Sequence, residues 1–169
     1  MGEWGVTMRQ SDYGLDLLDL IIDKQLRKID FNCFHVLEAI ELLRLKILDE
    51  IKKENWGGTQ EELDFYIKLN FQRDFEQAVL LVAECLTDYY EHGELVVHDF
   101  SQKNEGQSER HIREFIVTDE DLRLLLTEAR NALSPESELR KSWEESEHFE
   151  EWQAYVNVIC QILEQHSGT

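Results

Sequence analysis

The residues best suited to chemistry gather between positions 92 and 111, where His92, His98 and His111 stand near Asp99. Imidazole and carboxylate side chains grouped in this way are the raw material of a metal site. The stretches 95–100 and 112–117 read as two strands, joined by the polar, glycine-containing SQKNEGQSER. A hairpin symmetric about residues 105 and 106 sets His98 opposite Arg113 and His111 opposite Phe100. An arginine beside a ligand opposes a cation, so His98 and His111 are weak metal candidates and no metal or other cofactor is expected.

Other reactive groups carry less. Glu38 with Glu41, and Glu147 with Glu151, share helix faces, but among 36 acidic residues such pairs arise by chance. General acid–base work also needs a cleft that drives two carboxyl pKa values apart. A di-metal bundle requires a Glu-x-x-His motif on each of two helices, and Glu145-x-x-His148 has no second copy. Cys33, Cys85 and Cys160 form no CxxC or Cys/His spacing and lie among apolar residues, where a thiol is a poor nucleophile. The glycines of Asn55-Trp56-Gly57-Gly58 lack the lysine of a phosphate loop, and neither a Gly-x-Ser-x-Gly nor a dinucleotide fingerprint occurs. No catalytic residue is assigned, and catalysis is an alternative to the first reading.

The tryptophans say more. Trp143 and Trp152 lie nine residues apart in SELRKSWEESEHFEEW, beside apolar stripes and among acids. Rings so placed either cover the edge of a helical core or anchor a partner. Trp4, between Gly2 and Gly5, precedes regular structure, and the glycines permit turns that bring it onto other elements. We expect Trp4, Asp12, Trp143 and Trp152 to be closure or partner residues.

These side chains need helices to hold them. Leu15, Leu18, Ile22 and Leu26 recur at helical spacing over 11–28, with Ser11 or Asp12 as cap. The stretch 32–54 places Phe34, Leu37, Ile40, Leu43, Ile47 and Ile51 on one face and Leu42, Leu45 and Leu48 on a second, which predicts the central helix. Thr59 and Glu62 form a capping box, and the helix they start runs to Gly93 with a kink near Asn70. Thr118 with Asp121 caps the next helix, and Ser134-Pro135 reads as another helix start. The expectation is a mainly α, single-domain bundle spanning 1–169, with six or seven helices and one small β-hairpin at about 94–118.

Composition bounds the partners. The chain carries 17 Lys and Arg against 36 Asp and Glu, a formal charge of −19. Residues 59–93 hold eight acids against two bases, and 134–169 hold the same. Such a surface repels nucleic acid and anionic membranes and attracts a basic protein. No segment approaches 18 uncharged apolar residues and no signal-peptide pattern opens the chain, so a cytoplasmic protein with reduced, buried thiols is expected.

Two separated stretches are similar to a known family. Met1-Gly2-Glu3-Trp4-Gly5 with Ser11-Asp12-Tyr13-Gly14-Leu15-Asp16 resembles the start of DUF4259, a bacterial family of unknown function whose members open Met-Gly-Ala-Trp-Gly and continue Asn-Asp-x-Ala-Leu-Asp. Ser137-Glu138-Leu139, Trp143-Glu144-Glu145 and Glu151-Trp152 resemble its closing elements. Here Glu3 replaces alanine, Ser11 replaces asparagine and Gly14 replaces alanine. The resemblance implies a small bacterial helical protein and supplies no activity, and motifs at opposite ends imply that Trp4 packs near Trp143 and Trp152. The first reading is an acidic protein–protein interaction module, immunity-like or inhibitory toward a basic protein. The alternatives are an enzyme or small-ligand binder with a pocket near the Trp4 segment, and a structural homo-oligomer.

Overall fold

The computed structural model describes residues 5–28, 30–54, 58–99 and 108–167. Trp4 and Trp56 lie outside them. Helix α1 (Asp12–Ile21) starts at Ser11, whose Oγ accepts a 3.0 Å bond from the Gly14 amide. It runs on into a π-helical turn over Ile22–Leu26. Strand β1 (Cys33–His35) leads into α2 (Val36–Lys53). Helix α3 (Gln60–His92) opens on the Thr59/Glu62 capping box and stops at Gly93, whose φ of 76° lies in the left-handed region that favours glycine. Strands β2 (Leu95–Asp99), β3 (Ser108–Ile112) and β4 (Glu114–Ile116) precede α4 (Asp119–Ala132), which the Thr118/Asp121 box caps as expected. Helices α5 (Glu138–Glu144) and α6 (Phe149–His166) complete the order. The protein is mainly α, with six α-helices among the described residues, none long and apolar enough to cross a membrane.

The axis of the bundle is α3, not the 32–54 helix. From Ala78 to Thr87 every residue of α3 is buried, because α1, α2, α4, α5 and α6 all pack around it. Helix α2 buries one stripe, Val36, Ala39, Ile40, Leu43, Ile47 and Ile51, whereas Leu45 of its second stripe is 56% exposed. Helix α3 also runs unbroken through Asn70, whose side-chain amide donates to the Tyr66 carbonyl at 2.8 Å. The start of α5 differs as well: Ser137 is the cap, accepting from the Arg140 amide, while Ser134-Pro135 forms the turn before it.

Phe34 belongs to a strand and not to a helix. Strand β1 pairs in parallel with β4, Phe34 against Phe115, and the two rings stack with centroids 4.7 Å apart. Gln25 bonds the strand from the π-turn: its Nε2 donates to the His35 carbonyl at 3.0 Å and its Oε1 accepts from the His35 amide at 3.3 Å. A side-chain amide thereby satisfies backbone groups that the short strand would leave unpaired.

The hairpin register also differs. Strands β2 and β3 pair antiparallel with Leu95 opposite Ile112 and His98 opposite Glu109; His111 faces Val96. The expected register sets Ile112 against Asp99, whereas the observed one joins Leu95 and Ile112 on the buried face. The run 112–117 is divided at Arg113, beyond which Glu114–Ile116 leaves to pair with β1. Arg113 therefore does not face His98. It shares Glu94 with His111, at 3.1 Å to each.

Candidate functional site

A cleft of about 530 Å³ opens where the N-terminal segment crosses the ends of α1, α5 and α6. Val6, Thr7 and Met8 form one wall, Asp12 and Asp16 on α1 a second, and Leu139, Ser142 and Trp143 of α5 a third, with Trp152 of α6 also reaching it. Thus the sequence-selected Asp12, Trp143 and Trp152 line one cavity although they are far apart in the chain. Gly5 lines it too; Trp4, the remaining closure candidate, lies outside the described residues.

The wall has a local cause. Residues Met8–Gln10 form a 3₁₀ turn, and Ser11 Oγ, while capping α1, donates to the Met8 carbonyl at 2.9 Å. This draws the turn so close that a methyl group on Gly14 would sit 1.8 Å from the Met8 oxygen. Glycine is required there, although the resembled family carries alanine. Gly14→Ala is expected to lower stability by about 1–3 kcal/mol through overpacking, even though alanine favours helix by about 1 kcal/mol. Urea unfolding measures it, and a more stable variant would contradict the packing.

Glu84 fastens that turn to the axis. Its Oε1 accepts from the Met8 amide at 3.0 Å and from the Tyr155 hydroxyl at 2.5 Å; its Oε2 accepts from the Arg9 amide at 3.3 Å and from Arg9 Nε at 2.5 Å. A second Arg9 nitrogen reaches Asp88 at 3.1 Å. Burial, with the Glu84 charge beside it, pushes the Tyr155 hydroxyl well above its ordinary pKa, so it remains a donor. Sequence reasoning missed Glu84 as a site residue. A lone carboxylate inside the otherwise apolar AVLLVAECL was the available signal, since a buried charge must be paired.

Trp152 is 1% exposed and Trp143 half-buried, and their rings stack with centroids 5.8 Å apart and planes 11° apart. Phe149 continues the row, 6.2 Å from Trp152, and the Arg140 guanidinium covers Phe149 at 5.5 Å. No Lys or Arg is among the described lining residues. Asp12 and Asp16 make no hydrogen bond or ion pair among the described residues, which leaves two carboxylates available beside the indoles.

Other reactive groups lie elsewhere. His111 and His98 are on the hairpin, and among the described residues no group of three or more His, Cys, Asp or Glu side chains could hold a metal. The three cysteines are buried and free. Burial pushes the Cys85 thiol up to about 12, and burial together with Glu114, Asp30 and Glu38 raises Cys33 even though His35 Nε2 lies 3.6 Å away. Neither is an activated nucleophile.

Glu76, next to the cleft residue Gln77, accepts from the Ser137 hydroxyl at 2.7 Å. Burial raises its carboxyl pKa against the lowering effect of that bond, and burial raises Asp74 likewise. Because the folded pKa is the higher one, this stability is complete below the ordinary carboxyl pKa of about 4 and is lost as pH climbs through the raised native values. Glu76→Gln cannot ionise. Its melting temperature relative to wild type is expected to rise as pH climbs above about 4, and parallel curves would contradict the assignment.

The protein is a mainly α bundle built on one long axial helix, with an aromatic and acidic cleft at its N-terminal corner. The chain belongs to the family described as a domain of unknown function (DUF4259), whose model matches residues 69–155, just over half of it. The match takes in Glu84, the hairpin, Trp143, Trp152 and Tyr155, and stops short of Asp12 and Asp16. No curated protein and no solved structure matches the chain.

Proposed function

We propose that the protein is an interaction module that engages a basic protein on the face where the cleft opens. The observation that carries the reading is the meeting of Asp12, Trp143 and Trp152 around one cavity that, among the described residues, no cationic side chain lines. A charge of −19 speeds encounter with a cationic surface, and indoles beside a depression are the residue type that dominates interface energies. An immunity-like or inhibitory role in the cytoplasm, toward a basic protein, is the specific form of the reading. Trp4 enters it on sequence grounds alone, as an expected closure or partner residue that lies outside the described residues.

Immobilised protein tests it by capture from a host lysate. Basic proteins should be retained, with retention falling steeply as salt rises, and the double variant Asp12→Lys/Asp16→Lys should lose them. Retention that ignores both salt and charge reversal would refute the reading. The cavity volume, within the range of about 300–1,000 Å³ typical of ligand sites, favours a small-ligand binder as the second reading. A melting-temperature screen against metabolites separates the two. Light scattering tests the homo-oligomer alternative, for which the exposed Leu37 and Leu45 are the relevant surface.

A further inference from the structure

We infer that the cleft is a receptor for one arginine side chain of the partner, with the alkyl stem and guanidinium plane against Trp143 and the charge answered by Asp16 and Asp12. This rests on the reading of the protein as a module for a basic partner and names the group that enters. Four observations converge. The aromatic row Phe149–Trp152–Trp143 is already covered by a guanidinium at its Phe149 end, that of Arg140, while Trp143 at its other end lines the cleft. Among the described residues no cation stacks on Trp143, and the carboxylates of Asp12 and Asp16 have no partner. The lining combines Val6, Met8 and Leu139 with those acids, which suits a group with an apolar stem and a charged head. Among the described residues no lining side chain is cationic, so an anion would find no side-chain counter-charge there.

The N-terminal end of α1 borders the cleft, and its positive dipole end disfavours a cation. Asp12 stands in the first turn of α1 and offsets that end. Asp16, one turn further on, supplies the remaining negative charge. Arginine is preferred over lysine because a planar guanidinium stacks on indole and can bond a carboxylate in a two-point fork, which an ammonium cannot.

Two neutral-versus-charged pairs test this on the full chain. Tryptophan fluorescence and amide chemical shifts are followed on titration with Nα-acetyl-arginine amide and with its uncharged isostere Nα-acetyl-citrulline amide. The arginine compound should bind at least about tenfold more tightly, shifting the Trp143 indole and the Asp16 amide, and Asp16→Asn should remove most of the difference. Asp16 is exposed, so this variant is expected to fold. Equal binding of the two compounds, or preference for citrulline, would overturn the cation assignment, as would an arginine response that Asp16→Asn leaves unchanged. The second pair, n-butylguanidinium and n-butylurea, separates a partner's side chain from a free metabolite. Binding of butylguanidinium tighter than the acetylated arginine amide would overturn the protein source. Salt-sensitive capture of basic proteins that survives Asp16→Asn would leave the interaction reading standing and defeat the arginine pocket alone.

Discussion

Glu84→Ala is expected to cost about 3–5 kcal/mol, because it removes the shared acceptor of a buried cluster and leaves its donors without a partner. The Met8 and Arg9 amides, the Arg9 guanidinium and the Tyr155 hydroxyl all bond this one carboxylate, which is largely buried between α3, α6 and the N-terminal turn. For a chain of this length the loss corresponds to a melting temperature lower by about 10 °C, measurable by calorimetry. Glu84→Gln keeps an acceptor oxygen and places an NH₂ donor toward a donor, so it should fall between. An Arg9→Met/Glu84→Gln double variant should recover part of the loss if the ion pair is the coupled element. An alanine variant within about 1 kcal/mol of wild type would show that the N-terminal turn is held by other contacts. The same cluster predicts behaviour at high pH. Tyr155 keeps its proton in the native state above the pH at which the unfolded chain releases it, so its contribution is complete below about pH 10 and declines as pH rises through the higher native value.

The consequence of Glu84 reaches the cleft, since Met8 lines it and the Glu84 bond to the Met8 amide helps fix that wall. Arginine binding should therefore weaken in Glu84→Gln even under conditions where α3 stays folded. A positioning role of this kind is distinguished from a direct one by rescue: shifts at the Trp143 indole should reappear at saturating ligand, whereas loss of Asp16 removes the charge preference itself.

What could be read in advance follows from the reach of each interaction. The caps of α1, α3 and α4 are contacts three residues apart, so Ser11, Thr59 with Glu62, and Thr118 with Asp121 announce them locally. Gly93 marks its own terminus because only a residue without Cβ takes that φ cheaply. The misreadings are non-local. Strand β1 has three residues, too few for periodicity, and its partner Phe115 lies about half the chain away. The centrality of α3 is written in the run Ala78–Leu86, apolar on every side except at Glu84, more strongly than in the two stripes of α2, one of which meets solvent. The cleft was half legible: Asp12 and the tryptophans stand out by type, but nothing local states that α1 and α5 meet, and Asp16 looks like any acid on an exposed face. Ser134-Pro135 forms a turn and not a helix start because a proline suits a turn as well as a first helical residue, and Ser137 is the residue placed to accept from the Arg140 amide.

Trp152 and Trp143 looked equivalent in sequence, and the structure separates them enough for opposite predictions. Trp152 is 1% exposed in the middle of the row, stacked on Trp143 and close to Phe149. Truncating it to alanine leaves a cavity of nearly an indole's volume among close-packed neighbours, which is expected to cost about 3–5 kcal/mol. Trp152→Phe retains a ring for both neighbours and should lose substantially less. Trp143 is half-buried at the cleft, so Trp143→Ala forfeits a smaller transfer term but removes the surface on which a guanidinium would lie. Its unfolding free energy should drop by about 1–2 kcal/mol, and its binding to acetyl-arginine amide should fall by at least tenfold, on the scale of a desolvated cation–π contact worth about 2 kcal/mol. Chemical unfolding and ligand titration on the same two variants give the four values needed. If Trp152→Ala proves mild while Trp143→Ala unfolds the domain, the assignment of core and contact between the two rings is reversed. If both variants fold and bind like wild type, neither ring serves the cleft, and the aromatic row is a surface feature without a role in recognition.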